Sequence, residues 1–223
     1  MSVDGVLGPA ADFLLRTEPV QARSAARLSS LLGAAAQVVD EVGYERLTTA
    51  MVAERAGASI GTVYRYFPDR LAVLDGLSSR AFRQFLAAVT DRYREERRQS
   101  LEDRISSAVD VYVELYRSEP GFRVVRFGDV VDARLLVDRP SHDDVLAETL
   151  VGLAGEQGVR HEAEDSGFRI KVVIAMVESL VHRAFTSGTE PDLRFVTEAK
   201  NLACDYLRRY GGVRENHKGI DTE

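Results

Sequence analysis

The chain has 223 residues, of which 45% are hydrophobic and 29% charged, a composition typical of a globular protein with a substantial core. Its single cysteine, Cys204, excludes an internal disulfide, and its longest purely apolar run, residues 172–177, is too short to cross a bilayer. Residues 1–21 also lack the basic start and apolar stretch of a secretory signal, so we expect a cytoplasmic protein without membrane contact.

The formal net charge of −6 argues at first against a nucleic-acid partner, but the charge is unevenly distributed along the chain. Residues 22–98 contain 12 Arg against 9 Asp and Glu and carry a net charge of +3, whereas residues 99–223 carry −7. This asymmetry indicates that one segment faces phosphate while the rest meets something else. Chance scatter of charge is the alternative interpretation.

The first 42 residues divide into two parts. Residues 1–21 contain glycines and prolines without a sustained hydrophobic period, which predicts a flexible arm. In residues 22–42 apolar side chains recur at helical spacing as far as Gly43, a residue type that often ends a helix. The pattern therefore predicts a first helix over residues 22–42.

Residues 48–67 have the pattern of a helix-turn-helix. Thr48 can cap a short amphipathic helix, and Gly57 can end that helix because glycine tolerates a left-handed backbone. Ser59 can then cap a second helix that starts at Ile60. A connection this short predicts two helices that pack against each other.

The second helix of this motif has an inner and an outer face. Val63 and Phe67 lie one turn apart and can pack inward. Small, polar, aromatic and basic residues then face solvent or a ligand: Gly61, Thr62, Arg65 and Tyr66. We interpret this outer face as a binding surface.

A fourth helix follows Pro68, with Asp69 as its cap and Arg70 in its first turn. Apolar residues keep a helical period as far as Val89, before the charged run of residues 91–98. We place a domain boundary along this long helix.

Beyond residue 100 no segment has a clear strand pattern, and turn residues separate further helices. The predicted helices of this part cover residues 101–117, 142–156, 168–185 and 193–210. The sequence therefore predicts an all-α fold with an N-terminal three-helix helix-turn-helix domain and a larger helical domain. The predicted divisions are an arm over residues 1–21, a DNA-binding domain over 22–70, a helical body over 71–213 and a polar tail over 214–223.

One spaced motif within residues 28–74 is specific enough to indicate a family. It consists of Thr48, Ala56-Gly57, Ser59, Gly61-Thr62, Val63, Tyr64, Tyr66, Phe67 and Arg70. This pattern resembles that of the TetR family of transcriptional regulators, in which a three-helix DNA-binding head precedes an all-α ligand-binding and dimerising body. Two positions differ from the common pattern, since Ala58 replaces a frequent Val and Ile60 occupies a site that is often polar.

The resemblance implies DNA-binding roles for the residues of the motif. Residues whose hydroxyl or guanidinium groups would donate to phosphate oxygens are Thr48, Tyr64, Tyr66 and Arg70. Residues at or near the face that would enter the major groove are Ile60, Gly61, Thr62 and Arg65, and Ser59 is a further predicted DNA-binding residue. There Arg65 could pair with guanine and Ile60 could contact a thymine methyl group. Simple packing against the first helix is the alternative for the two tyrosines.

The resemblance also implies a homodimer, because one recognition helix reads too few base pairs to select a site in a genome. The partner would be a palindromic operator in double-stranded DNA. The apolar residues of 168–185 and 193–210 fit a four-helix bundle formed by the last two helices of two subunits. Burial of these residues within one chain is the alternative.

In the TetR family a small molecule enters the body and lowers operator affinity, and repression is the common outcome. Candidate ligand contacts in this chain are Tyr112, Tyr116, Phe122, Phe127, Glu178 and His182. Such residues predict a largely apolar effector. Core packing of the aromatic residues, and an internally satisfied pair of Glu178 and His182, are the alternatives.

Other classes of function have weaker support. Cys204 has no histidine nearby in the sequence, and there is no phosphate-binding glycine loop, so we do not expect an enzyme. Two clusters could suggest a metal but match no known ligand spacing, so we expect neither metal nor cofactor: His142 with Asp143 and Asp144, and His161 with Glu162 and Glu164. A helical adaptor with incidental DNA binding, or a DNA-binding regulator without a ligand, remain the alternative functions.

Overall fold

The computed structural model describes residues 22–95, 100–124, 142–156, 160–161, 166–188, 190–210 and 213–214. In these residues the fold is all-α, as predicted. The helices are α1 (Ala22–Val42), α2 (Thr49–Arg55), α3 (Ile60–Tyr66), α4 (Arg70–Glu95), α5 (Leu101–Ser118), a 3-10 turn (Phe122–Val124), α6 (His142–Glu156), α7 (Ser166–Ala184) and α8 (Leu193–Tyr210). The predicted arm of residues 1–21, Phe127, Glu162, Glu164 and the tail beyond residue 214 lie outside the described residues.

Helix α7 covers Ser166–Ala184 and not residues 168–185, and two further features differ from the predicted elements. Helix α4 continues through part of the charged run and ends at Glu95. Arginines in its last turn favour this extension, because cations there interact well with the helix dipole. A two-residue antiparallel pair also joins β1 (Arg160–His161) to β2 (Val213–Arg214). None of the described helices is long and apolar enough to cross a membrane.

The chain forms two compact units. The first contains the described residues of Met1–Ala87 and Glu114–His142, and the second contains those of Ala88–Val113 and Asp143–Glu223. Helices α1, α2 and α3 lie wholly within the first unit, whereas α7 and α8 lie wholly within the second. Each unit has its own buried apolar side chains.

The first unit is built around the apolar stripe of α1. Leu31 and Val39 are buried there, and α2 contributes the fully buried Val52. Positive backbone φ angles end both helices, since Gly43 has φ of 80° and Gly57 has φ of 56°. The backbone between α2 and α3 can therefore turn sharply without the strain that a side chain would cause there.

A close helix crossing joins α4 to the helix-turn-helix. A Cβ atom added at Gly76 would lie 2.9 Å from Leu32 Cδ2 and 3.0 Å from Phe67 Cε1. Real Cβ contacts are almost never this short, so only glycine lets α4 approach both side chains. Because Leu32 belongs to α1 and Phe67 is the C-cap of α3, this crossing fixes α4 to both helices.

The turn that follows α5 packs against α1 in the same unit. Gly121 has φ of 77°, and a Cβ atom there would lie 3.0 Å from Ala36 Cα. Its amide donates to Asp40 Oδ1 at 3.4 Å. Glu119, just before the turn, accepts a hydrogen bond from Gln84 Nε2 at 3.0 Å. These contacts hold residues 119–122 against α1 and α4.

The second unit is built around the α7–α8 pair. Ala199 and Ala203 are fully buried on α8, and small side chains at this spacing let the two helices pack closely. Lys200 Nζ donates to Asp110 Oδ1 at 2.6 Å and so connects α8 to α5. Arg169 Nη1 donates to Tyr206 Oη at 3.0 Å, which adds a polar contact between α7 and α8.

We predict that Gly76→Ala lowers the free energy of unfolding by about 1–2 kcal/mol, because the crowding at Leu32 and Phe67 outweighs the gain in helix propensity. Gly33→Ala is the matched control, since its Cβ atom would meet only Arg80 Nη1 at 3.7 Å, an ordinary contact. That control should stabilise the protein by about 0.5–1 kcal/mol. Thermal unfolding measures both, and equal stabilisation by the two substitutions would contradict the crossing.

Candidate nucleic-acid interface

Side-chain caps set the start of both helices of the motif. Thr48 is the N-cap of α2, where its hydroxyl accepts from the amide of Met51 at 3.2 Å. Ser59 is the N-cap of α3, where its hydroxyl accepts from the amide of Thr62 at 3.1 Å. The Ser59 and Thr62 hydroxyls also lie 2.9 Å apart. Each cap satisfies an amide that the helix itself cannot bond.

Helix α3 has the predicted inner and outer faces. Val63 and Phe67 are buried, whereas Arg65 is exposed. Ile60 and Tyr64 are 43% and 53% exposed. Covering such large side chains with a partner molecule would be favourable, because it removes apolar surface from water. The outer face therefore exposes both apolar and cationic groups.

At Gly61 no side chain projects from the start of this outer face. A Cβ atom there would have Ser59 Oγ, 3.9 Å away, as its nearest neighbour, so no contact within the chain requires glycine. Its backbone also lacks a positive φ angle. A glycine here leaves the α3 backbone accessible to close approach, which the described contacts of the chain do not use.

The hydroxyl groups of the two tyrosines contact neighbouring helices. Tyr64 Oη accepts from Thr49 Oγ1 at 3.4 Å, and Tyr66 Oη lies 3.1 Å from Ser24 Oγ on α1. The Arg65 guanidinium lies 5.2 Å from the centre of the Tyr66 ring. The hydrogen bond with Ser24 and the nearby Arg65 lower the pKa of Tyr66. These contacts orient both phenol groups at the edge of the α3 face.

Arg70 has a partner within the chain. Its Nη1 donates to the backbone carbonyl of Glu45 at 2.7 Å, in the loop between α1 and α2. The side chain is exposed, and a guanidinium group has further N–H donors beyond the one used here. The geometry thus combines an anchor for the loop with free donor capacity at the surface.

Two supporting residues, Ser24 and Thr49, are absent from the sequence-based site. Ser24 lies far from Tyr66 in sequence, and nothing in its local pattern indicates the hydrogen bond between them. Thr49 follows the cap residue Thr48 and has a polar side chain next to the motif, so its position was a usable signal. Both hydroxyls orient predicted contact residues.

The candidate ligand residues lie in different environments. Tyr116 and Phe122, in the first unit, are buried and make an edge-to-face contact with ring centres 6.4 Å apart. Tyr112 and Glu178, in the second unit, are also buried, and Tyr112 Oη donates to Glu178 Oε1 at 3.5 Å. His182 is exposed, so it does not share the buried environment of Glu178.

Two family profiles match this chain. One is described as "Bacterial regulatory proteins, tetR family" and matches residues 31–77, which include α2, α3 and their caps. The other is described as "Tetracyclin repressor-like, C-terminal domain" and matches residues 99–210, half of the chain. The chain belongs to the TetR family. It is therefore a DNA-binding transcriptional regulator and not an enzyme.

Similar proteins agree with this family. A TetR-family transcriptional regulator from Streptomyces coelicolor is 31% identical, with a TM-score of 0.70 over 82% of this chain and 98% of its own. The fatty acid degradation regulator FadR from Bacillus halodurans, 18% identical, shares the fold with a TM-score of 0.61 over 84% of this chain and 96% of its own.

Two curated relatives match less than half of this chain. The HTH-type transcriptional regulator BetI of Stenotrophomonas maltophilia is 36% identical over 38% of this chain and 42% of its own length. The HTH-type transcriptional repressor KstR of Mycolicibacterium smegmatis is 38% identical over 30% of this chain and 32% of its own. The match thus spans less than half of either relative.

We predict that Gly61→Ala separates stability from DNA binding. The added methyl group meets open space, so the free energy of unfolding should rise by about 0.5 kcal/mol. Operator affinity should fall at least about tenfold, or about 1.4 kcal/mol, because the methyl group holds α3 away from the bases. Thermal unfolding and fluorescence anisotropy measure the two effects. Unchanged operator affinity would contradict the role of Gly61, and Gly33→Ala serves as control.

Proposed function

We propose that this TetR-family regulator is a repressor that binds a palindromic operator as a homodimer and is released by a small, largely apolar effector. The outer face of α3 carries the proposal, because Ile60 and Tyr64 are exposed there beside the cationic Arg65. Among the described residues, the exposed large apolar side chains are few, and most belong to α3, α7 or α8. Those three helices are the proposed interfaces with DNA and with a second subunit.

The proposed contacts divide into two kinds. Arg65 would read a base through its paired N–H donors, and Ile60 would contact a thymine methyl group in the major groove. Hydroxyls that already have ordered partners, those of Tyr64 and Tyr66, would donate to phosphates at the groove edge. Thr48 and Arg70 would add further phosphate contacts. Contacts of the first kind select a sequence, and contacts of the second kind set position along the duplex.

We predict that Arg65→Ala costs about 1–3 kcal/mol in operator binding and relaxes the preference at one base pair of each half-site. The side chain is exposed, so the fold should be unaffected. Selection of binding sites from a randomised half-site measures the preference. A profile identical to that of the parent protein would remove Arg65 from base recognition.

Arg70→Ala is the contrasting variant. It should weaken binding to all sequences and reduce the slope of log affinity against log salt by about 0.9, the value for one phosphate on double-stranded DNA. Because Arg70 also holds the Glu45 carbonyl, its thermal unfolding must be measured in parallel. An unchanged salt slope in a folded variant would show that the side chain serves only to anchor the loop.

The proposed dimer uses α7 and α8. Phe168, Leu202 and Tyr210 are 56%, 43% and 49% exposed on these helices. The same helices bury other apolar side chains against each other, such as Val181 and Ala199. An apolar surface that remains after the pair has packed supports a four-helix bundle with the same pair of a second subunit.

We predict that Leu202→Glu converts the dimer to a monomer, because the bundle would bury an unpaired charge. Helical content should be retained, since the side chain is exposed in the single chain. Sedimentation at micromolar concentration and circular dichroism measure these effects. Tyr44→Glu, at an exposed apolar position between α1 and α2, is the control and should remain dimeric. A parent protein that sediments as a monomer would contradict the dimer.

The effector is proposed to bind in the helical body. The buried Tyr112 and Glu178 form a polar contact within largely apolar surroundings in the second unit. A cavity that is mostly apolar with a few polar groups is the usual site for a small molecule. Tyr116 and Phe122 are candidates in the first unit, and His182 is a candidate only at the surface. Phe127 lies outside the described residues and is proposed as a ligand contact from the sequence alone.

A mobility-shift experiment tests the proposal as a whole. Genomic fragments, including the DNA upstream of the chain's own coding region, are screened for a palindrome that the parent protein shifts. Apolar compounds that bind in calorimetry are then added to the complex and should release the DNA. Release by none of them would favour a regulator without a ligand, and absence of a specific fragment would favour the adaptor.

A further inference from the structure

Two polar side chains on α4 have no hydrogen-bond or ion-pair partner among the residues that the structure describes. Ser79 is fully buried, and its hydroxyl makes no hydrogen bond to any described residue. A serine within a helix usually bonds the carbonyl one turn earlier, so an unused buried hydroxyl is uncommon. The lost hydration of the Ser79 hydroxyl is thus not compensated within the described part of the molecule.

Arg83 lies one turn beyond Ser79, on the same side of α4. It is partly buried and makes no hydrogen bond or ion pair with the described residues. Burial lowers the pKa of the Arg83 guanidinium, although such a group remains charged near neutral pH. The nearest acidic residues along the helix, Asp75 and Asp91, lie about 12 Å away along its axis.

Arg80, on the same helix, forms an ion pair within the chain and can be compared with Arg83. Its Nη2 lies 3.8 Å from Glu119 Oε2, and its side chain is 30% exposed. Arg80 points about 100° around the helix from Ser79, toward α1 and the turn after α5. Among the described residues, then, Arg80 has an acidic partner, whereas Arg83, on the Ser79 side of the helix, has none.

We propose that Ser79 and Arg83 form an anion-binding site for the acidic headgroup of the effector. A guanidinium group presents paired N–H donors that match a carboxylate, and the Ser79 hydroxyl adds a third donor about one helical turn away. The neighbouring side chains Phe82 and Leu86 are buried and apolar, so neither of them supplies a competing anion. An organic acid with an apolar tail combines this anion site with the largely apolar effector of the proposed function. This inference rests on the proposed function, to which it adds the chemical class of the effector.

The position of this site on α4 links it to the DNA-binding face. Gly76 lies about 10 Å from Arg83 along the axis of α4 and is the point at which this helix contacts Leu32 and Phe67. An anion that binds Ser79 and Arg83 would thus act on the helix that fixes the end of α3. A displacement of α4 would move the recognition helix directly.

The experiment measures the thermal unfolding of the full chain with octanoate, decanoate, benzoate and octyl phosphate, each compared with its neutral alcohol. At least one of these acids should raise the Tm, and its alcohol should not. The response to octyl phosphate relative to octanoate distinguishes a phosphate headgroup from a carboxylate. If no acid raises the Tm, or if acids and alcohols act equally, the anion site is disproved.

Substitutions at Arg83 and Ser79 test whether these two residues bind the acid. Arg83→Met should weaken binding of the active acid at least about tenfold in calorimetry, and Ser79→Ala should weaken it less. Without ligand, Arg83→Met should raise the Tm by about 2–4 °C, because it removes an uncompensated buried charge. Arg80→Met, the matched control, should lower the Tm and retain the response to the acid. A lowered Tm for Arg83→Met would mean that the chain itself pairs this arginine, and would overturn the proposal.

Operator binding by the ligand-free parent protein is measured in parallel. Acid binding without operator binding would leave the anion site intact and contradict the proposed function. Operator binding without acid binding would contradict the anion site and leave the proposed function intact. The two proposals can therefore fail independently.

Discussion

The close approach of α4 to α1 and to the end of α3 is the contact on which the orientation of the recognition helix depends. At Gly76 the missing side chain lets Leu32 and Phe67 contact the α4 backbone directly. A well-packed crossing of this kind has few alternative arrangements, because protein interiors deform little before they repack. The end of α3 is therefore packed tightly against α4, and a displacement of α4 would disturb this contact.

The surface proposed to face DNA is ordered by contacts within the chain. The hydroxyls of Thr48 and Ser59 hold the starts of α2 and α3, and those of Tyr64 and Tyr66 have partners on α2 and α1. Side chains that are already oriented lose less conformational entropy on binding. In the proposed complex, phosphate contacts would then set the position of α3 in the groove, and the exposed Arg65 would read the bases.

On α4, two desolvated polar side chains have no partner among the described residues. In the second unit Tyr112 and Glu178 contact each other, and Lys200 pairs with Asp110. In the first unit, by contrast, Ser79 and Arg83 are desolvated on α4 without a described partner, although Arg80 on the same helix has one. Burial of an unpaired charge is costly, so an external anion bound by Ser79 and Arg83 would offset part of that cost on α4.

Local patterns in the sequence determined the helices, the turn at Gly57, both caps and the inward residues Val63 and Phe67, because each depends on neighbours within about one helical turn. The spaced motif also determined the family. Only the tertiary structure decided the contacts between residues far apart in sequence, such as Gly76 with Leu32 and Arg70 with the Glu45 carbonyl. It also decided that Arg80 has a partner whereas Arg83 has none in the described part of the chain, since two arginines on one helix look alike until their surroundings are known.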